Sequence, residues 1–408
     1  MVTIARVLFL AVSLGLSVMS CAWTPTPVLE PDVSRPVGGP MPETFKILTF
    51  NALHGLATGK FGVTPGETPE QNESRFRLLI AQLARERPDV VFLQEVNPLP
   101  DRAERYVTAL MALGLEYIQV HQVDACGVRA SEKAALFSGL NNGLAILAKR
   151  ELRLQKVMGL KLSGDLGKCS STAGIQLGEL RYAVIAEITM PGSKEKYLLA
   201  STHLHSGFET GSQFLNTLAD LHRDGRFRRY TSLKWDVEQS RLRRIGELDV
   251  LVRTLNRLNK DHLYSRIVIA GDLNFELDFP EYEEVRLLRF SDTSTGAERE
   301  GELYTADPLH NGWIKQNERE AIPQQLQDAI APEEAAVREQ IAAAYRVEMQ
   351  RPRRIDYILV DALLPGHCLR QALFGTELDN NGLPASDHYG LLNTYSPAMS
   401  GEGCRPRQ

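Results

Sequence analysis

Short apolar runs that deliver a polar residue at one end recur along this chain, and they constrain its fold more than any other feature. The clearest is Arg266–Ala270, a β-branched run typical of a buried strand. Gly271, Asp272, Leu273 and Asn274 follow it. Because alternate residues of a strand face the same side, Asp272 and Asn274 would point the same way if the strand continues. Taken alone, the stretch favours a turn, since Gly, Asp and Asn are common turn residues.

Six predicted strands carry polar groups at or near an end, and a seventh carries one within it. In chain order the groups are Asn51, Glu95, Asn142, His203, Asp272 with Asn274, Asp356 (the one within a strand), and Asp387 with His388. Turn formation explains any one of them. It does not explain the set, because turns do not require Glu or His and need not recur at strand ends.

Helices are predicted between these strands from apolar spacing. Phe76, Leu79, Ile80 and Leu83 share one helical face, and Asp101 with Glu104 has capping-box spacing at the start of the next helix. Residues 206–235 are predicted to be a long loop, with a long helix opening at Asp236. A further helix is expected from Ala331 to about Met349, and residues 291–320 are expected to be irregular.

Composition is that of an ordinary globular protein, with 43% hydrophobic and 24% charged residues among 408. The net charge of −5 provides no overall basic field for non-specific nucleic-acid binding. This weighs against a nucleic-acid partner, although a local basic patch can act within an acidic protein.

The first 43 residues differ from the rest of the chain. Residues 1–21 combine Arg6, a short apolar run and small residues, which predicts an export signal. The segment ends at Cys21, so a lipoprotein signal and ordinary cleavage nearby are both open. Residues 22–43 form a Pro-rich tether, 44–397 the predicted catalytic domain and 398–408 a tail. The protein is therefore expected in the periplasm, on the outer membrane as a lipoprotein, or secreted.

Export would permit disulfides. Besides Cys21 the chain has Cys126, Cys169, Cys368 and Cys404, which allow three pairings. Chain order favours Cys126–Cys169 and Cys368–Cys404. The absence of a CxxC pair argues against structural zinc.

Seven motifs together resemble the endonuclease/exonuclease/phosphatase superfamily, which has the fold of DNase I. They are Thr49-Phe50-Asn51, Leu93-Gln94-Glu95-Val96, Asn142-Gly143, Ser201-Thr202-His203-Leu204, Gly271-Asp272-Leu273-Asn274, Arg354-Ile355-Asp356-Tyr357 and Ser386-Asp387-His388. The resemblance covers roughly residues 45–396. It implies a four-layer α/β sandwich, in which two mixed β-sheets pack face to face with helices outside.

The resemblance also implies a metal-dependent phosphoric diester hydrolase. Glu95 is a hard oxygen ligand suited to Mg²⁺, with Mn²⁺ or Ca²⁺ as substitutes, and the amide oxygen of Asn51 and the carboxylate of Asp387 would join it. One metal or two remains open.

The other site residues would handle the proton and the phosphate. His388 would be the general base, oriented by Asp356, with Asp272 as the alternative base. His203 would donate to the phosphate or act as general acid, and Asp272 with Asn274 would position the nucleophile and the phosphate oxygens.

Substrate choice rests on weaker signals. Thr202-His203-Leu204-His205 and Asn141-Asn142-Gly143-Leu144 are similar to the neutral sphingomyelinase branch, with Asn142 and His205 as substrate contacts. This favours a phospholipid, reached at a membrane surface, as the substrate. An extracellular endonuclease is the alternative, with the arginines of residues 223–229 gripping the nucleic-acid backbone. The third hypothesis is an inactive binding module on the same fold.

Overall fold

Twelve strands among the described residues form two six-stranded mixed sheets. The computed structural model describes residues 44–53, 67–124, 142–164, 180–206, 212–293, 303–317, 335–361 and 367–397. The strands are β1 (Phe45–Asn51), β2 (Val90–Val96), β3 (Tyr117–Val123), β4 (Gly143–Lys149), β5 (Gln155–Ser163), β6 (Arg181–Thr189), β7 (Lys196–His203), β8 (Arg266–Asp272), β9 (Ser291–Asp292), β10 (Asp356–Val360), β11 (His367–Phe374) and β12 (Gly390–Pro397). Sheet A has the order β11-β12-β1-β2-β4-β3 and sheet B the order β5-β6-β7-β8-β10-β9.

The described residues also form seven α-helices. They are α1 (Pro69–Glu86), α2 (Asp101–Ala112), α3 (Ser212–Arg223), α4 (Tyr230–Leu258), α5 (Pro280–Leu287), α6 (Gly312–Asn317) and α7 (Ala335–Met349). α1 and α2 bury their apolar faces on sheet A, and α4 and α5 bury theirs on sheet B. The predicted four-layer α/β sandwich is therefore confirmed.

The central core lies between the two sheets. Phe92 of β2, Val184 of β6 and Val268 of β8 belong to one buried cluster that spans both. On the neighbouring positions of β2, Val91 and Leu93 point instead toward α1 and α2. Because both faces of the central strands are covered, these strands appear in the sequence as continuous apolar runs rather than as alternating ones.

Several sequence predictions of secondary structure were wrong. Residues 212–223, predicted as loop, form α3, and the following helix α4 begins at Tyr230 rather than at Asp236. Tertiary packing explains the difference, since Phe214 and Leu218 of α3 join Leu233 of α4 and Ile341 of α7 in a separate apolar cluster. A short α3 would be marginal without this partner surface.

Two further strands and one cap also differ from expectation. β5 and β11 pair along their lengths with β6 and β12, although neither was predicted from its sequence. The capping box lies at Thr68 and Gln71 of α1. At the predicted position, Asp101 is the first residue of α2 and Pro100 occupies the cap without a side-chain bond.

Some predictions fall outside the described residues. These are the signal segment 1–21, the tether 22–43 and the tail 398–408, together with Cys126, Cys169 and Cys404. Within the described part of the chain, no helix combines the length and the apolar character needed to cross a bilayer.

Strands β7 and β8 approach each other closely at Gly271. They are parallel, with Thr202 beside Gly271 and His203 beside Asp272. Gly271 has φ +155°, and a Cβ at this position would lie 1.9 Å from the Thr202 carbonyl oxygen. Only glycine fits here, so the backbone of Gly271 sets how near the two site-bearing strands can lie.

The substitution Gly271→Ala should destabilise the protein by about 3 kcal/mol or more, because the added methyl overpacks a backbone contact that cannot move aside. Gly246→Ala is the matched control, since a Cβ there meets nothing within 4 Å and Gly246 lies within α4. That change should stabilise by about 0.5–1 kcal/mol. Urea unfolding measures both, and equal midpoints for the two variants would contradict the expected steric clash.

Candidate active site

Three neighbouring strands of sheet B bring polar side chains to one edge of the sheet. The parallel register of β7 and β8 sets His203 beside Asp272. The antiparallel register of β10 and β8 sets Asp356 beside the same Asp272. Three residues more than 60 positions apart in sequence therefore form one row across the sheet.

Sheet A contributes the residues that face this row. Asn51 ends β1 and lies beside Gln94 in the parallel register with β2, so Glu95 follows at the same edge. Glu95 has φ +54°, in the left-handed region that non-glycine residues rarely adopt, and it lies where the register of β2 with β4 shifts. This local irregularity re-aims the side chain, as bulges near active sites commonly do.

Asn51 joins the two halves of the site. Its amide nitrogen donates to Glu95 Oε1 at 3.0 Å and to Asp272 Oδ2 at 3.1 Å. Its amide oxygen accepts from the Leu53 N–H at 3.1 Å. The amide oxygen was expected to face the metal, and the structure instead turns the amide nitrogen toward the carboxylates, because the oxygen is taken up by the turn after β1.

His388 lies against two carboxylates of sheet B. Its Nδ1 is 2.9 Å from Asp356 Oδ2 and 3.9 Å from Asp272 Oδ2. The side chain of Asp356 is fully buried and that of His388 is 13% exposed. A carboxylate that binds one ring nitrogen orients the imidazole and leaves the other nitrogen, Nε2, for chemistry.

The buried charges shift the pKa values of this cluster. Burial raises the pKa of the Asp272 carboxyl well above its usual range, and the Asp356 carboxylate raises it further, while His388 opposes the change. Burial lowers the pKa of His388, but its contact with Asp356 outweighs burial and holds that pKa well above the usual value. The site thus concentrates negative charge around one imidazole.

His203 and Asn274 complete the cluster around Asp272. His203 Nε2 lies 3.5 Å from Asp272 Oδ2. The Asn274 N–H donates to Asp272 Oδ1 at 3.0 Å, and its side-chain amide donates to the Leu204 carbonyl at 3.0 Å. Asn274 has φ +54°, so the chain turns after Asp272 rather than continuing as a strand. Both oxygens of Asp272 therefore accept hydrogen bonds from the protein.

Three further predicted site residues lie just before β4, just after β7 and just before β12. Asn142 lies just before β4, and its buried Oδ1 has no hydrogen-bond partner in the described part of the chain. The backbone N–H of His205 donates to Glu247 of α4 at 2.8 Å. Asp387 is half-buried and accepts from the Ser386 hydroxyl at 3.2 Å. Their predicted roles stay predictions.

The arginines of residues 223–229 lie on the helical cluster formed by α3, α4 and α7. Arg223 ends α3, where it forms an ion pair with Asp220, and Arg226, Arg228 and Arg229 are exposed in the turn before α4. The arginines are surface residues, and their predicted role in gripping a backbone stays a prediction.

The carboxylates of the site fit a divalent cation. Asp272, Asp356 and His388 each offer a ligand atom within 4.8 Å of the others, and Glu95 reaches Asp272 through the shared amide of Asn51. Asp356 Oδ1 is buried without a hydrogen-bond partner among the described residues. A buried, mutually repelling set of carboxylates with an unpaired oxygen is the environment that a hard cation neutralises.

The sequence alone did not assign a role to the residues that hold the cluster in place. Gln94, fully buried, accepts from Thr49 at 3.4 Å and donates to Ser201 at 3.2 Å, which ties the sheets together beneath the site. Arg75 lies on the apolar face of α1 and is 3% exposed. A charged residue four positions before Leu79 on that face was the available signal, since a buried arginine requires partners.

Comparisons with known proteins agree with this fold. A model of the Endonuclease/Exonuclease/phosphatase family matches residues 48–388. Similar solved structures include truncated TDP2 of Caenorhabditis elegans, with 14% identity, coverage of 86% of this chain and 98% of that one, and a TM-score of 0.50. No curated protein matched.

Two other solved structures show weaker likeness. D. rerio TDP2 complexed with a single-strand DNA product has 18% identity, coverage of 86% and 98%, and a TM-score of 0.47. The human Nocturnin catalytic domain with bound sulfate has 14% identity, coverage of 87% and 95%, and a TM-score of 0.47. Likenesses this weak carry no information on substrate. The family model covers most of the chain and includes every strand that supplies the site, so the protein belongs to the Endonuclease/Exonuclease/phosphatase family.

Proposed function

We propose that this protein is a Mg²⁺-dependent phosphodiesterase that hydrolyses a phospholipid head-group ester of the sphingomyelin type. The observation that carries the hydrolase is the hydrogen-bonded pair formed by His388 and Asp356. His388 Nδ1 lies 3.9 Å from Asp272 Oδ2, and the register of β8 and β10 sets Asp356 beside Asp272. Family membership supports a metal-dependent phosphoester hydrolase. The lipid substrate is the finer part of the proposal.

His388 is the general base in this proposal. Its Nδ1 faces Asp356, so Nε2 is the nitrogen that accepts the proton of the attacking water. Asp272 is assigned a positioning role instead, because Asn274 and Asn51 donate to its two oxygens and fix the direction of the carboxylate.

The remaining residues act on the phosphate. His203, whose Nε2 also faces Asp272, donates a proton to the leaving oxygen as its bond to phosphorus breaks. Asn274 and Asp272 position the phosphate oxygens and the water. Glu95 and Asp387 would hold the cation, and Asn51 would position the Glu95 carboxylate through the hydrogen bond from its side-chain amide nitrogen. A bound Mg²⁺ supplies charge neutralisation at the phosphate oxygens.

Exposed apolar side chains near the loop of His388 support a lipid substrate. Tyr304 is 42% exposed and Leu309 is 50% exposed, and both lie in the segment that packs against the loop of His388. Within this segment the Thr305 carbonyl accepts from the Tyr389 N–H at 2.7 Å. Exposed apolar side chains next to the proposed phosphate site suit a substrate with a charged head group and an apolar tail. The predicted export signal would place the enzyme near such a surface.

Purified protein should release phosphocholine from sphingomyelin vesicles when Mg²⁺ is present, and it should nick plasmid DNA far more slowly under the same conditions. Measuring both reactions side by side, with and without EDTA, distinguishes a lipid hydrolase from the alternative endonuclease. Nicking of DNA without release of phosphocholine would overturn the lipid substrate and leave the hydrolase standing.

The variant His388→Ala should lose about 10²–10⁴-fold in kcat on a generic phosphodiester such as bis-p-nitrophenyl phosphate, because the general base is removed. His310→Ala is the matched control, since the His310 side chain is 74% exposed and pairs with Asp307 at the rim. Circular dichroism should show both variants folded. If His388→Ala keeps wild-type kcat, the assigned base is wrong.

Mg²⁺ should raise the thermal unfolding midpoint of the wild-type protein, because a ligand that binds only the folded state stabilises it. The variant Glu95→Gln should show a smaller rise, while Glu238→Gln, on the exposed face of α4, should respond like wild type. Differential scanning fluorimetry over a Mg²⁺ titration measures the midpoints. An unaltered response in Glu95→Gln would remove Glu95 from the metal site.

A further inference from the structure

We propose that Arg75 is a positioning residue. Its buried guanidinium couples the turn that follows Asn51 to the loop that carries His388, and so fixes the position of the proposed base relative to the residues near the proposed cation. This inference rests on the proposed hydrolase function. Arg75 does not touch any of the reacting groups, and it acts through the backbone of the two segments that carry them.

Every N–H group of the Arg75 guanidinium has a partner. Nε and Nη2 donate to the two carboxylate oxygens of Glu67, with 2.6 Å at Nη2. Nη1 donates to the Ala52 and Ala385 carbonyls, each at 2.9 Å, and Nη2 donates to the Leu53 carbonyl at 3.1 Å. Five donors in a rigid plane are thereby satisfied, an arrangement that lysine cannot reproduce with one compact ammonium.

The contacts on the β1 side lead directly to Asn51. Arg75 holds the carbonyls of Ala52 and Leu53, and the N–H of Leu53 donates to the side-chain oxygen of Asn51. That bond decides which way the Asn51 amide faces, and hence that its nitrogen meets Glu95. Leu53 has φ +52°, a conformation that a non-glycine residue keeps only when its surroundings hold it there.

The contacts on the other side hold the loop that ends in His388. Three consecutive carbonyls of this loop each accept from a side chain elsewhere in the fold. The donors are Trp313 Nε1 to Pro384 at 2.8 Å, Arg75 Nη1 to Ala385 at 2.9 Å and Asn311 Nδ2 to Ser386 at 2.9 Å. Among these donors, Arg75 is the one that also holds the turn after β1.

Thr305 links this loop to the carboxylate that orients the base. Its carbonyl accepts from the Tyr389 N–H, and its hydroxyl oxygen accepts from the N–H groups of Ile355 and Asp356 at 3.1 and 3.2 Å. The loop is therefore fixed relative to Asp356 by Thr305 and relative to Asn51 by Arg75. Loss of the Arg75 contacts would leave the His388–Asp356 pair intact, but the position of that pair relative to Asn51 would no longer be fixed.

Burying the charge of Arg75 costs free energy, which indicates that this residue has a role beyond stabilising the fold. The Arg75 and Glu67 side chains are 3% and 4% exposed, and replacing such a pair by apolar residues is often neutral or stabilising. An ion pair at this depth is therefore weak evidence for stability by itself. Its geometry toward three backbone carbonyls near the site points to positioning instead.

The test compares Arg75→Lys with Arg77→Lys, a control on the same helix whose side chain is 76% exposed and pairs with Glu73. Arg75→Lys should fold and should lower kcat on bis-p-nitrophenyl phosphate by about 10²-fold with little change in KM, as expected when reacting groups are misplaced by about 1 Å. Arg77→Lys should match wild type. In Arg75→Ala, guanidinium chloride at low millimolar concentration should restore part of the lost kcat, while ammonium chloride should not.

Hydrogen exchange followed by mass spectrometry provides a second measurement that does not need activity. In Arg75→Lys, exchange should rise together in peptides covering residues 50–53 and residues 384–389, and it should be unchanged in Arg77→Lys. If the wild-type protein hydrolyses no phosphodiester, the proposed function is wrong. The exchange measurement then tests by itself whether Arg75 couples the two segments.

Two results would overturn the proposal. One is an Arg75→Lys variant with wild-type kcat and wild-type exchange. The other is a variant in which kcat falls only in proportion to a lower unfolding midpoint, with no rescue by guanidinium, because that pattern belongs to a residue that only stabilises the fold.

Discussion

The Asp272 carboxylate is the interaction on which the architecture of this site depends. It is 2% exposed, ends β8, an interior strand of sheet B, and accepts a hydrogen bond from Asn51 of the opposite sheet. Placing a carboxyl there raises its pKa, since burial disfavours the charged form and Asp356 repels it. Hydrogen bonds from Asn51 and Asn274 and the nearby imidazole of His388 offset that cost. Because Asn51 belongs to sheet A and Asn274 follows a strand of sheet B, stabilising the carboxylate requires the two sheets to meet at Asp272.

The same requirement explains the supporting structure. Gly271 permits the close approach of β7 and β8 that sets His203 beside Asp272. Gln94 bridges the sheets below the site, and Arg75 holds the two loops above it. Buried polar networks of this kind tolerate few changes, because a partly satisfied network is more costly than an apolar one.

Family membership and substrate are separate conclusions. The ordered motifs and the sandwich of two sheets place the chain in the Endonuclease/Exonuclease/phosphatase family. The substrate depends on what surrounds the phosphate, which here includes the exposed Tyr304 and Leu309 on one rim and the arginines of residues 223–229 on a separate helical cluster. A shared fold supports many substrates, so these surroundings rather than the fold motivate the lipid proposal.

Much of the fold was predictable from local patterns. Strands buried on both faces, such as β2 and β8, are continuous apolar runs, and the polar residues at their ends mark the site. β5 and β11 were missed because pairing with β6 and β12 stabilises them, and their own residues carry little of that signal. α3 was missed for a similar reason, since its helical state depends on packing against α4 and α7.

The sequence by itself indicated the polar side chains that meet around Asp272, because their types and their places at or near strand ends are local properties. Tertiary structure alone decided how they meet. The register between strands places Asp272 beside His203 and Asp356, and it depends on backbone contacts such as the one at Gly271. The direction in which the Asn51 amide faces depends on the turn at Leu53, which Arg75 holds from a different helix. Neither could be inferred from neighbouring residues, since both arise from groups that are distant along the chain.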